Sequence, residues 1–204
     1  MKKNISVIYR GIDTEFFDPS LSDEKKFMEF YSKYNLPDDK KIILYPGRLT
    51  SWKGQIEFLN ILQSLDPNQI KCYFIGDDKN KSYAQKIENE IIKKNLASVC
   101  KIFGSLSRED LRFMYTIADL VISAPLKPEG FGRIISEGLA MKKIVLCYNY
   151  GGVKDQISGL DNLFSVKPHD HLEMVEKIKI SLALTNDKIN KIGEVSRNHV
   201  TKKF

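Results

Sequence analysis

Residues 40–77 read KKIILYPGRLTSWKGQIEFLNILQSLDPNQIKCYFIGD. Ile42, Ile43, Leu44 and Tyr45 form an unbroken apolar run closed by Pro46-Gly47. Ile56, Leu59 and Ile61 or Leu62 then recur at helical spacing, predicting a helix over 55–65. A second apolar run, 70–75, ends in Gly76-Asp77-Asp78. A strand with one wet face alternates apolar and polar residues, whereas a continuous apolar run marks a strand covered on both faces. Strand, helix and strand in this order make a parallel pair joined by a right-handed crossover.

The same alternation continues in both directions. Towards the start lie a short strand at 5–8, a turn-rich segment and a lysine-rich amphipathic helix over 25–34. Downstream, the pattern predicts helices over 83–94, 133–141, 172–184 and 188–200, with a short one after Gly151-Gly152. Strands are expected over 99–103, 120–122 and 144–146, with a small one at Leu163-Phe164. Ser107 is placed to cap a helix, with Asp110 three residues on as a capping-box-like partner. There is no internal repeat, low-complexity tract or linker. The expected fold is α/β: a doubly wound, Rossmann-like parallel sheet forming a single domain over 1–204.

Composition narrows the function classes. With 42% hydrophobic and 28% charged residues, the chain is of ordinary globular composition. No apolar run approaches the ~18 residues of a membrane span, and the basic start at Met1-Lys2-Lys3 precedes a run too short for a signal peptide. The net charge of +6 is spread through mixed stretches such as Asp23-Glu24-Lys25-Lys26. No basic block with interleaved aromatics occurs, which argues against nucleic acid and leaves a weak pull towards an anionic membrane face. Cys72, Cys100 and Cys147 lie in apolar runs and read as reduced, buried thiols of a cytoplasmic protein.

Three turns follow strands at the end where such sheets bind ligands. In the first, Gly47 lets backbone approach a ligand while Arg48 and Lys53 flank the loop, a fork and a point charge suited to a diphosphate. The second is Lys127-Pro128-Glu129-Gly130-Phe131-Gly132-Arg133. Its glycines leave N–H groups free at a helix start, an anion site. Glu137, one turn after Arg133, can lean back to accept hydrogen bonds from a ribose diol. The competing reading makes Glu137 a surface partner of Arg133, worth a few tenths of a kcal/mol. In the third turn, Gly151-Gly152 serve either ligand approach or a tight strand-to-helix connection. His169 and His171 have metal-like spacing, but no cluster completes a site, so no metal and no cofactor are expected. The phosphate-binding glycine motifs of nicotinamide dehydrogenases and P-loop NTPases are absent.

At these residues the sequence resembles the C-terminal domain of family 4 (group 1) retaining glycosyltransferases of the GT-B fold. The matching blocks are Val7-Ile8-Tyr9-Arg10-Gly11-Ile12-Asp13, 46–54, Phe74-Ile75-Gly76-Asp77, 129–137 and Gly151-Gly152-Val153-Lys154-Asp155. Glu129 and Glu137 look like the family's E-x7-E pair, and the wording is most like members that build lipopolysaccharide or other surface glycans. The resemblance implies a nucleoside-diphosphate sugar as donor. Arg48 and Lys53 would hold the diphosphate and stabilise it as leaving group, and Glu129 would face the sugar. Backbone groups of Gly130, Phe131, Gly132, Arg133 and Ile134 would contact phosphate and sugar, Glu137 the ribose, and Ile102 and Phe103 would border the base. It also implies an N-terminal acceptor-binding domain carrying a catalytic histidine, without which this half would bind donor but transfer little. The same architecture serves nucleotide-sugar epimerases and phosphorylases, and a non-catalytic sugar-nucleotide module is the remaining alternative. Where the family commonly has Gly and Pro after its second glutamate helix, this chain has Lys142 and Ile144, which predicts an altered turn before an intact strand.

Overall fold

The computed structural model describes residues 8–21, 23–37, 39–77, 82–160 and 162–204. In chain order the elements are α1 (Glu24–Tyr34), β1 (Lys41–Pro46), α2 (Gln55–Leu62), β2 (Ile70–Ile75), α3 (Ser82–Lys93), β3 (Cys100–Gly104) and α4 (Arg108–Ile117). There follow β4 (Leu120–Ser123), α5 (Arg133–Ala140), β5 (Ile144–Tyr148), α6 (Val153–Ile157), β6 (Ser165–Val166), α7 (His171–Leu182) and α8 (Asn186–Lys203). The six strands of the described residues are all parallel, in the order β3-β2-β1-β4-β5-β6. This is the α/β doubly wound sheet expected from the apolar runs.

Successive strand residues point to opposite faces, so each apolar run feeds two cores. Ile43, Tyr45, Cys72 and Phe74 pack with α2, α3 and α7, while Ile42, Leu44, Tyr73 and Ile75 pack with α1, α4, α5, α6 and α8. Residues 5–7 of the expected first strand lie outside the described residues, and Ile8 beside them is 91% exposed. α2 stops at Leu62, with Ser64 N–H closing on the Ile61 carbonyl at 3.0 Å just before Asp66-Pro67. The small strand falls two residues later than expected. Leu163 and Phe164 belong to a 3-10 turn that buries Phe164, and Ser165 and Val166 pair with Cys147 and Tyr148.

Ser107 does cap α4, accepting the Asp110 N–H at 2.9 Å. The Asp110 carboxylate instead reaches α1, where it meets Lys33 at 2.9 Å and the Tyr34 hydroxyl at 2.8 Å. Lysine at 142 produces the altered turn. Lys142 takes the left-handed conformation (φ 58°) that usually selects glycine. Its N–H meets the Leu139 carbonyl at 3.0 Å and the Lys143 N–H meets that of Gly138 at 2.9 Å, the paired bonds of a Schellman cap. The strand that follows is intact. Removing left-handed strain is worth about 1–2 kcal/mol, partly offset by the entropy glycine adds to the unfolded chain and by loss of an exposed pair with Glu194. Lys142→Gly is therefore expected to stabilise by about 0.5 kcal/mol, and Lys142→Val to destabilise, as read from urea midpoints.

Candidate functional site

The connections leaving β1 and β4 run to opposite sides of the sheet, which opens a crevice between their carboxyl ends. A cleft of about 460 Å³ lies there. Its walls include Gly47, Arg48, Lys53, Glu129, Phe131, Arg133, Ile134 and Glu137. Residues from two turns far apart in sequence are thus brought to one place. A larger depression of about 890 Å³ occupies the amino ends of the strands near Ile70 and Asp119, and none of these residues lines it.

Backbone contacts hold the first turn. Gly47 N–H donates to the Ile75 carbonyl at 2.7 Å and Leu49 N–H to that of Asp77 at 2.9 Å. A Cβ on Gly76 would come within 1.8 Å of the Gly47 oxygen, so only glycine lets the two strand ends pass. The buried Tyr45 hydroxyl donates to the Lys53 carbonyl at 2.6 Å, and Gln55 donates to that of Arg48 at 2.9 Å. Arg48 projects from this frame into solvent without a carboxylate partner among the described residues. Lys53 differs: its ammonium lies 4.6 Å from the Trp52 ring centre and is ion-paired with Glu129, both side chains being only 10% exposed. The second carboxylate oxygen of Glu129 is buried and has no hydrogen-bond partner among the described residues.

The third turn explains how Glu129 is placed. Gly152 N–H donates to the Glu129 carbonyl at 2.8 Å, and a Cβ on Gly152 would lie 1.8 Å from the Gly130 oxygen. The paired glycines therefore serve backbone-on-backbone contact that seats the Glu129 loop. The N–H groups at the start of α5 are not all free, contrary to expectation. Gln156 is wholly buried, and with its amide assigned the orientation that satisfies both neighbours, its oxygen accepts the Gly132 N–H at 3.1 Å and its nitrogen donates to Ser136 Oγ at 2.7 Å. The next amides, of Arg133 and Ile134, begin the helix with no side-chain cap at Gly132.

Glu137 is 8% exposed and forms no ion pair with Arg133. Its partner is Tyr115, fully buried on α4, whose hydroxyl donates to Oε2 at 2.8 Å. Burial pushes the Glu137 carboxyl above its ordinary range, against the Tyr115 hydrogen bond and the Arg133 charge. Ile102 and Phe103 do not line the cleft. Ile102 packs into one core layer, and Phe103 into the other against Tyr34 and Tyr73. The chain turns at Gly104 (φ 63°), and Ser105, Leu106 and Leu111 form the wall instead. Arg10 and Asp77 also border the cleft. His169 packs its ring on Tyr148 and Tyr150, away from these groups, and among the described residues no group of three or more metal-ligating side chains gathers.

A profile of the family described as glycosyl transferases group 1 matches residues 27–199. The chain belongs to that family. It is 24% identical to the lipopolysaccharide 1,2-N-acetylglucosaminetransferase of Salmonella typhimurium over 98% of this chain and 52% of that one. The crystal structure of a Rickettsia africae glycosyltransferase superposes with a TM-score of 0.90 at 34% identity, covering 98% of this chain and 52% of that chain. Anabaena HepE, in a crystal structure with UDP and glucose, superposes with a TM-score of 0.85 at 21% identity, over 98% of this chain and 52% of its own. This group 1 chain thus spans about half the length of such relatives. No helix among its described residues is long and apolar enough to cross a membrane.

Proposed function

We propose that this chain is the donor half of a retaining glycosyltransferase, binding a nucleoside-diphosphate sugar in the cleft beyond β1 and β4. The observation that carries the reading is the convergence of Arg48, Lys53, Glu129 and Glu137 from distant turns on that one cleft. Arg48, Lys53 and the first amides of α5 suit a diphosphate; the unmet Glu129 oxygen suits a sugar hydroxyl, and Glu137 a ribose. Breaking the sugar–phosphate bond builds charge on the diphosphate, and each preorganised donor there is worth ~3 kcal/mol of barrier. The acceptor site and the rest of the machinery belong, on this reading, to an N-terminal domain. Assembly of lipopolysaccharide or another surface glycan, at the cytoplasmic face of a membrane, is supported by the role named for the Salmonella relative and by the net charge of +6.

Calorimetric titration with UDP-, GDP- and ADP-glucose tests the reading. At least one is expected to bind, with UDP the first probe because HepE holds it. Folded protein that binds none of them would sink the proposal.

A further inference from the structure

We infer that Tyr115 is a positioning residue for the ribose-binding carboxylate, fixing Glu137 so that the cleft discriminates ribonucleotides from nucleotides without ribose hydroxyls. The inference rests on the proposed role of Glu137. Tyr115 has no solvent exposure, and among the described residues its only side-chain hydrogen bond is the one it donates to Glu137 Oε2 at 2.8 Å. Oε2 is thereby committed to α4, and Glu137, as a wall of the cleft, has Oε1 left to present there. A carboxylate holding one oxygen in the protein cannot rotate away from the other's target, so an incoming diol meets an acceptor already aimed.

The charges around Glu137 favour the same assignment. Burial disfavours its ionised form, while the Tyr115 hydroxyl, Arg133 and Arg108 favour it. The tyrosine itself cannot share the load as an anion, since burial and the neighbouring carboxylate push its hydroxyl well above its ordinary range. It remains a donor at all working pH. Phe17 packs edge-on to the Tyr115 ring at 5.9 Å, which limits the ring's movement. The sequence gives no sign of this pairing, because the two residues lie 22 positions apart on different helices.

The test compares UDP, GDP and ADP with their 2′,3′-dideoxy counterparts on the whole chain. Wild type is expected to prefer the ribonucleotide it binds tightest by about tenfold or more. Tyr115→Phe keeps the ring and should remove most of that preference while changing affinity for the dideoxy compound less than about twofold. The decline of ribonucleotide binding on acidification should also begin at higher pH in Tyr115→Phe, because one group favouring the charged carboxylate is gone. In a Glu137→Gln background, adding Tyr115→Phe should cause no further loss of preference. Equal weakening of both nucleotide types by Tyr115→Phe, or an unchanged preference, overturns the positioning role. Absence of any ribose preference in wild type is a different failure: it overturns the role of Glu137 first.

Discussion

Lys53→Met is expected to lose on the order of 3 kcal/mol of stability and roughly 100-fold in affinity for a nucleoside diphosphate, two effects with separate causes. The first comes from Glu129. With both side chains 10% exposed, removing the ammonium leaves a buried carboxylate whose second oxygen already lacks a partner among the described residues. The second comes from the diphosphate, which loses a charged donor beside Arg48. The double variant Lys53→Met, Glu129→Gln separates them: thermal stability should largely return, because no uncompensated buried charge remains, while diphosphate affinity should not. Arg48→Ala provides the opposite contrast. Its side chain is exposed and has no carboxylate partner among the described residues, so the variant should melt near wild type yet bind diphosphate at least tenfold more weakly. Free nucleoside, which offers these cations no charge, should bind all three variants alike. Equal losses for nucleoside and diphosphate would refute the phosphate assignment.

Why Lys53 and Arg48 differ was not legible in the sequence, although both residues were. Loops such as Pro46-Gly47-Arg48 show themselves because they interrupt apolar runs, and those runs are continuous only because the strands are buried on both faces. The parallel strand–helix alternation, the helix positions and the cleft's place at the strands' carboxyl ends follow from that periodicity. What periodicity does not carry is pairing between distant segments. Glu129 reads as a loop-tip acid until Lys53, 76 residues away, is brought to it. Gln156 and Tyr115 look like ordinary helix members, yet one occupies the Gly132 amide and the other holds Glu137. Ile102 and Phe103, expected to border the base, sit at the end of β3 just before the segment that borders the cleft. Side chains one residue apart point to opposite faces, however, so both went into the cores and the wall passed to Ser105 and Leu106.

Arg197→Ala is expected to destabilise the protein by about 3 kcal/mol, lowering the melting temperature by roughly 10 °C. Nothing in the C-terminal helix pattern distinguishes this arginine from the lysines around it. In the structure its guanidinium gathers four acceptors: the carbonyls of Phe17 and Ala140 at 2.7 Å each, that of Thr14 at 3.1 Å, and Asp18 Oδ2 at 2.6 Å. One side chain thus ties segment 14–18 to the end of α5 and to α8. The guanidinium spreads its donors over two nitrogens, Nη1 on the Phe17 and Ala140 carbonyls and Nη2 on Thr14 and Asp18. An ammonium is a single point, so Arg197→Lys should recover little beyond the Asp18 contact. Asp18 supplies a pH signature. Its carboxyl is held below the ordinary range, foremost by the Ser20 hydroxyl and also by the Arg197 charge. A depressed acid contributes stability above its unfolded pKa and loses it as pH falls through the folded one. Arg197→Ala should therefore shrink the acid-sensitive part of the stability without abolishing it, because the Ser20 bonds remain. The pin also supports the site at one remove, since Phe17 braces the Tyr115 ring that holds Glu137. Diphosphate affinity, carried by Arg48 and Lys53 on the far turn, should fall less than tenfold. A large binding loss with an unchanged melting temperature would show that Arg197 acts in the cleft and not in the frame.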